Sequence, residues 1–240
     1  ITFSPVQEWE VAQENGFLGR IGHQYHWDNN DYTCFDDFLN SLSSRKRKSI
    51  RKERQAVKDS AISLKCLSGD DITESHWDAF YAFYLDTSGR KWGHPYLNRD
   101  FFSLLGQRMS QDIVLVLAYQ EDTIVAGALN LKGDQTIYGR YWGCLEDFRF
   151  LHFEACYYQA IDYAIEHRLA RVEAGAQGQH KIQRGYLPQK TYSSHWIADR
   201  GFQRAVHAGC KGRPERYRSP ANALPLRPGS ASGRPGPSRW

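Results

Sequence analysis

Three short stretches of this 240-residue chain hold side chains suited to proton or anion chemistry at close quarters. In RVEAGA (171–176), Glu173 is a carboxylate among small and apolar residues, where burial would raise its pKa towards that of a general base. A structural ion pair with Arg140 or Arg171 accounts for it equally well. A loop bracketed by Gly175 and Gly178 then leads to His180 and Lys181. Glycines let a backbone approach a ligand closely, so His180 could shuttle a proton and Lys181 could anchor a phosphate or carboxylate. Plain polar surface is the other reading of a lone loop histidine. In YGRYWG (138–143), Gly139 and Gly143 leave the backbone accessible. Strand alternation there sets Tyr138, Arg140 and Trp142 on one side against Tyr141 on the other.

Further candidates lie outside these stretches. Lys91, Trp92 and Tyr96 combine cation and aromatic surface, which suits a sugar-peptide or amino-acid acceptor as well as ordinary packing. Arg149 precedes an expected helix start, where it could receive phosphate. His152 and Glu154 stand two apart and point to different sides of that helix, so they do not form a working pair. No HExxH, CxxC, GxSxG, P-loop or dinucleotide fingerprint occurs, and no metal is expected.

The elements that must position these residues follow from periodicity. Residues 35–58 read as helical, from Phe35, Phe38, Leu39 and Leu42 into the basic run RKRKSIRKER (45–54), where Glu53 stands among seven Lys and Arg. The stretch GHQYHWDNNDY (22–32) reads as an aromatic, turn-rich connection. Ile62–Leu67 alternates as a strand. A helix capped by Thr73 then places Trp77, Phe80, Tyr81 and Tyr84 on one face, and a second helix spans Arg99–Met109. Strands are expected at 113–119, 124–131 and 136–143, the first apolar enough to be covered on both faces. An amphipathic helix over Leu151–Arg168, a strand at 171–176 and a late strand at 191–197 complete the series.

Composition limits the function classes. No stretch reaches about 18 apolar residues, so no membrane span is expected. The five cysteines are odd in number and unpaired in spacing, as in a reducing, cytoplasmic compartment. The net charge of +4 belongs to the end of the chain: residues 211–240 hold seven Lys and Arg against one acid, which leaves a slightly acidic body. Six of the nine prolines also lie there, and the composition predicts a disordered Pro/Arg/Gly-rich tail over 208–240. A basic pI is therefore weak evidence for nucleic-acid binding by the folded part.

The element order, three antiparallel strands followed by a helix and a strand parallel to the last of them, matches the GNAT acyltransferase fold. GRKWGHPYLNRDFF (89–102), AGALNL, YGRYWG, LHFEACYYQAI (151–161), EAGAQGQHK (173–181), RGYLP (184–188) and TYSSHWI together resemble the FemAB-like branch of bacterial GNAT proteins, which is labelled for peptidoglycan biosynthesis or recognition. The resemblance implies an α/β (α+β) fold with a mixed central sheet and flanking helices. It also implies a division into the C-terminal part of a first GNAT-like half (1–60), a GNAT-like domain (61–207) and the tail. In such a fold the strand YGRYWG splits from RVEAGA, a backbone N–H polarises the donor carbonyl, and a base deprotonates an amine.

One departure from the fold's usual pattern bears on the donor. Coenzyme-A-dependent members place a Gly-rich loop before the central helix, and this chain has CLEDFRFLH (144–152). The donor is thus expected to be an acyl-CoA or, as in the better-known relatives, an aminoacyl-tRNA. The acceptor is expected to be a small-molecule or peptide amine. The leading reading is acyl or aminoacyl transfer by Glu173 and His180, with Tyr138, Arg140, Tyr141, Trp142, Arg149, Lys181, Lys91 and Trp92 as binding residues. The alternatives are a catalytically silent module that recognises a cell-wall precursor or peptide, and an RNA-binding protein led by the basic run.

Overall fold

The computed structural model describes residues 1–90 and 94–211. Its organising element is a seven-stranded mixed sheet of β1 (Leu18–Asp28), β2 (Ile62–Leu67), β3 (Ile113–Gln120), β4 (Thr123–Lys132), β5 (Thr136–Cys144), β6 (Arg171–Glu173) and β7 (Leu187–His195). The spatial order is β2-β3-β4-β5-β6-β1-β7. β2 to β5 form an antiparallel meander, and β6 runs parallel to β5. This is the mixed sheet with flanking helices that the element order implied.

Helices cover the meander on both faces. On one face α4 (Glu74–Arg90) and α5 (Arg99–Met109) press Trp77, Phe80, Phe83, Tyr84, Phe102 and Leu105 onto Ile113, Leu115, Leu117 and Leu129. Asn98 starts α5 as an N-cap, its side chain accepting from the Phe101 N–H at 3.0 Å. The opposite face packs under α6 (Leu151–Phe153), a π-helical turn (Glu154–Tyr158) and α7 (Gln159–Glu166). Residues Ile113–Ala118 of β3 are consequently all buried, as their continuous apolar run predicts.

Two readings change in the N-terminal region. The stretch taken as a connection is most of β1, which pairs antiparallel with both β6 and β7. Tyr25 and Trp27 enter the core below while Gln24, His26 and Asp28 take the other face, a period-2 pattern masked by its polar content. Residues 1–60 thus contribute a strand to the same compact unit, Ile1–Ala198, that holds the rest of the sheet. The single helix expected over 35–58 is two, α2 (Phe35–Ser41) and α3 (Ser44–Lys58), because Leu42 is extended between them. A short α1 (Val6–Glu14) precedes β1, its Trp9 indole N–H donating to the Ser193 carbonyl at 3.1 Å.

The basic run on α3 is partly internal. Glu53 turns inward, accepting from Arg184 Nη2 at 2.9 Å, from Arg184 Nε at 3.1 Å and from the Tyr158 hydroxyl. Arg54 lies 4.3 Å over the Phe35 ring and donates to Glu154 at 3.0 Å and Asp162 at 2.6 Å. The partners of these groups lie outside the run, Asp36 for Arg51 and, a hundred residues or more away, Glu154 and Asp162 for Arg54 and Arg184 for Glu53. Arg45, Lys48, Lys52 and Lys58 remain exposed. The second compact unit, Asp199–Trp240, is described only through α8 (Arg200–Lys211); residues 212–240, most of the expected tail, lie outside the described residues.

Candidate functional site

The parallel pairing of β5 with β6 ends after three residues, at Tyr138 opposite Glu173. Beyond it the chain from Ala174 is claimed by β1: the Ala174 N–H donates to the Tyr25 carbonyl at 2.9 Å, and the Tyr25 N–H to the Gly175 carbonyl at 3.0 Å. Lys181, only 5% exposed, caps the same segment by donating Nζ to the Ala174 carbonyl. Gly175 and Gly178 have φ of +77° and +99°, so the exit loop turns through conformations that side chains resist. The two strands splay, and a cleft of about 990 Å³ opens between them.

One wall of the cleft comes from α6, the π-helical turn and the exit loop, and carries His152, Cys156, Tyr157, His180 and Lys181. His180 Nε2 lies 3.0 Å from the Tyr157 hydroxyl. Burial lowers the His180 pKa, and the Arg184 and Lys181 charges lower it further, so the imidazole is neutral near pH 7 and can take a proton. Burial raises the Tyr157 pKa, which keeps the phenol protonated. Arg184 Nη1 donates to the His180 carbonyl at 2.8 Å, tying this wall to the buried Glu53. The other wall carries Tyr84, Thr87, Ser88, His94, Tyr96, Arg140 and Tyr141, and Asn130, Gly139 and Trp142 line the splay between them.

The expected alternation along β5 is broken by a bulge at Arg140. Leu129 pairs with Tyr141 and Asn130 with Gly139, leaving Arg140 as the extra residue. Tyr138 and Tyr141, opposite Leu131 and Leu129, therefore share the α4 side, and Trp142 packs on the side of Val116 and Ala155. Arg140 falls with Tyr141: its guanidinium lies 4.6 Å over that ring and donates to the Tyr96 hydroxyl at 3.1 Å.

The structure brings His180, Lys181, Arg140, Tyr141 and Trp142 together around one cleft, with Tyr96. Glu173 does not line it. It faces His26 of β1, with Oε2 3.7 Å from His26 Nε2, and burial raises its pKa while Arg171 opposes the rise. Arg149 stacks 4.7 Å over Phe150 outside the lining, and Tyr138 is 43% exposed outside it. Lys91 and Trp92 lie outside the described residues. Tyr157 and Cys156 escaped sequence reasoning because a regular helix does not distinguish them from core. Only the π-helical turn presents both to the cleft, and such turns recur at functional sites.

No group of three or more His, Cys, Asp or Glu able to hold a metal occurs among the described residues. Nor is any described helix long and apolar enough to cross a membrane.

A splayed parallel strand pair beside an antiparallel meander is the mixed-sheet arrangement of a GNAT-like fold. The chain belongs to the FemAB-like family, described as peptidoglycan biosynthesis/recognition, whose profile matches residues 1–224. Among solved structures it is similar to L-PGS from Bacillus licheniformis, with a TM-score of 0.60 and 11% identity over 86% of this chain and 70% of that one. It is also similar to FemX, with a TM-score of 0.57 and 13% identity over 83% of this chain and 70% of that one. No curated protein matches the chain.

Proposed function

We propose that the protein transfers an acyl or aminoacyl group to the amine of a small molecule or peptide, with His180 as the general base. The carrying observation is the neutral His180–Tyr157 pair, 3.0 Å apart, on the wall of a cleft whose described lining contains no carboxylate. The donor carbonyl lies along the edge of β5 beyond Tyr138, where pairing with β6 has ended and peptide N–H groups can polarise it. The amine nitrogen attacks the carbonyl carbon and a C–N bond forms. His180 accepts the amine proton, directly or through the Tyr157 hydroxyl. The bond to the leaving sulfur or oxygen breaks, and the imidazolium returns its proton to that atom. Glu173, expected as base, is assigned instead to the His26 pair on the sheet.

The segment before α6 bears on the donor. The Leu151 N–H is taken by the Phe148 carbonyl at 3.2 Å, and Glu146 and Asp147 are exposed beside it. A pyrophosphate would meet two acids and no glycine cradle, which favours an aminoacyl-tRNA or another activated ester over coenzyme A.

The test is to incubate the protein with acyl-CoA thioesters or aminoacyl-tRNAs and amine-bearing peptides of the peptidoglycan type, then to weigh the products. One acyl or aminoacyl increment on an amine is expected. His180→Gln should lower the rate about 100-fold or more. The parent rate should fall on the acid side only below the ordinary histidine value of about 6.5, because the His180 pKa is lowered. Saturable peptide binding without transfer from any donor would instead assign the cleft to recognition.

A further inference from the structure

The wall opposite His180 has a feature that proton transfer does not use. Arg140 is the bulged residue of β5, so its side chain falls on the same side as that of Tyr141 and lines the cleft. Its partners are neutral: the Tyr96 hydroxyl accepts from Nη2 at 3.1 Å, and the Tyr141 ring lies 4.6 Å beneath the guanidinium. Tyr96 is held in turn, since its hydroxyl meets that of Tyr141 and its backbone N–H donates to the Tyr84 hydroxyl at 3.1 Å. Several other arginines among the described residues pair with acids: Arg54 takes Glu154 and Asp162, Arg99 takes Glu74 and Asp78, and Arg184 takes Glu53. Arg140 has no such acid among the described residues, and the described lining around it contains no Asp or Glu.

We propose that Arg140 binds an oxyanion, carboxylate or phosphate, carried by the amine-bearing substrate. This proposal rests on the transfer reading for the identity of that substrate. A guanidinium with its plane set by a ring and one donor set by a hydroxyl keeps other N–H groups for a planar, two-point partner. A cleft lined by one sign of charge also concentrates ligands of the opposite sign. The anion would sit on the α4 side and the amine on the His180 side, so that one substrate is oriented by both of its ends. Tyr96 and Tyr141 act as positioning residues for Arg140.

The test is a binding measurement that needs no turnover. A short lysyl peptide with a free C-terminal carboxylate, its carboxamide and its phosphate-terminated counterpart are titrated into parent, Arg140→Gln and Arg140→Lys by calorimetry. The charged peptides should bind the parent about tenfold or more tighter than the amide. That preference should vanish in Arg140→Gln, while Arg140→Lys keeps part of it. The better-bound charged form names the source, carboxylate or phosphate. Equal binding of charged and amide peptides by the parent, absence of binding included, would overturn the proposal, as would a preference that survives in Arg140→Gln. Because Arg140 is exposed, the variants should keep the parent's thermal midpoint, and a midpoint within a degree or two checks that they fold. An anion preference without any acyl transfer would remove the transferase reading and leave this site standing.

Discussion

The two halves of the sheet are built on different terms. β2 to β5 are consecutive meander partners with apolar residues facing helices on both sides. β6, β1 and β7 come from residues 171–173, 18–28 and 187–195, and their face on the α4 side carries Gln24, His26, Asp28, Arg171 and Glu173. The covered half is held by burial. The other buries one face, through Tyr25, Trp27 and Val172, and holds its open face by long-range pairing and by polar contacts such as the Arg171–Asp28 ion pair at 2.7 Å. The cleft lies at the seam, where a three-residue strand is the only parallel link among the described residues. A sheet opens for a ligand where its pairing is shortest, and here buried charge then fixes the opened edge.

The largest effect should come from breaking the buried support of that seam. Glu53→Ala leaves Arg184 buried without its carboxylate and Tyr158 without its acceptor. We expect a loss of about 3–5 kcal/mol in urea unfolding. A loss under about 1 kcal/mol would mean that the seam does not depend on this ion pair.

Two truncations compare a doubly covered strand with an exposed position of β1. Leu115→Ala, fully buried in the covered half, should cost about 3 kcal/mol. Ile21→Ala, 42% exposed on β1, should stay within about 0.5 kcal/mol. Equal costs would show that this position of β1 is packed as closely as the covered strand.

The smallest effect is a pH trend at the polar face. The Glu173 pKa is raised chiefly by burial, so the folded state holds its proton more tightly than the unfolded chain does. Stability from this group is full below the ordinary glutamate value of about 4.3 and is lost as pH rises through the higher folded value. Glu173→Gln removes that loss, so its thermal midpoint should gain on the parent's between pH 4 and 7. A midpoint difference independent of pH would show that Glu173 titrates normally.

Much of the covered half was legible in the sequence. The α5 limits, the aromatic face of α4 and the two-faced burial of β3 follow from local periodicity. β1 was not legible, because a strand with His, Gln and Asp on one face looks polar until β6 and β7 flank it. In the site, His180, Lys181 and Arg140 stood out by type. The placement of Glu173 away from the cleft follows from strand parity: Val172 turns into the core beside α7, so Glu173 must face the other side.

The amino-acid sequence by itself determined the fold class, because hydrophobic period and element order are local properties that burial then enforces. It also determined the chemical inventory of the cleft. Which of those groups meet was decided only by tertiary structure. The splay at Tyr138 depends on β1 capturing Ala174 and Gly175 from more than a hundred residues upstream. The turning of Arg140 depends on a bulge, and the facing of the buried Tyr157 toward the cleft on a π-helical turn. The bulge and the π-helical turn are one-residue shifts in a hydrogen-bond ladder, a small energy locally, and only the packed surroundings select them.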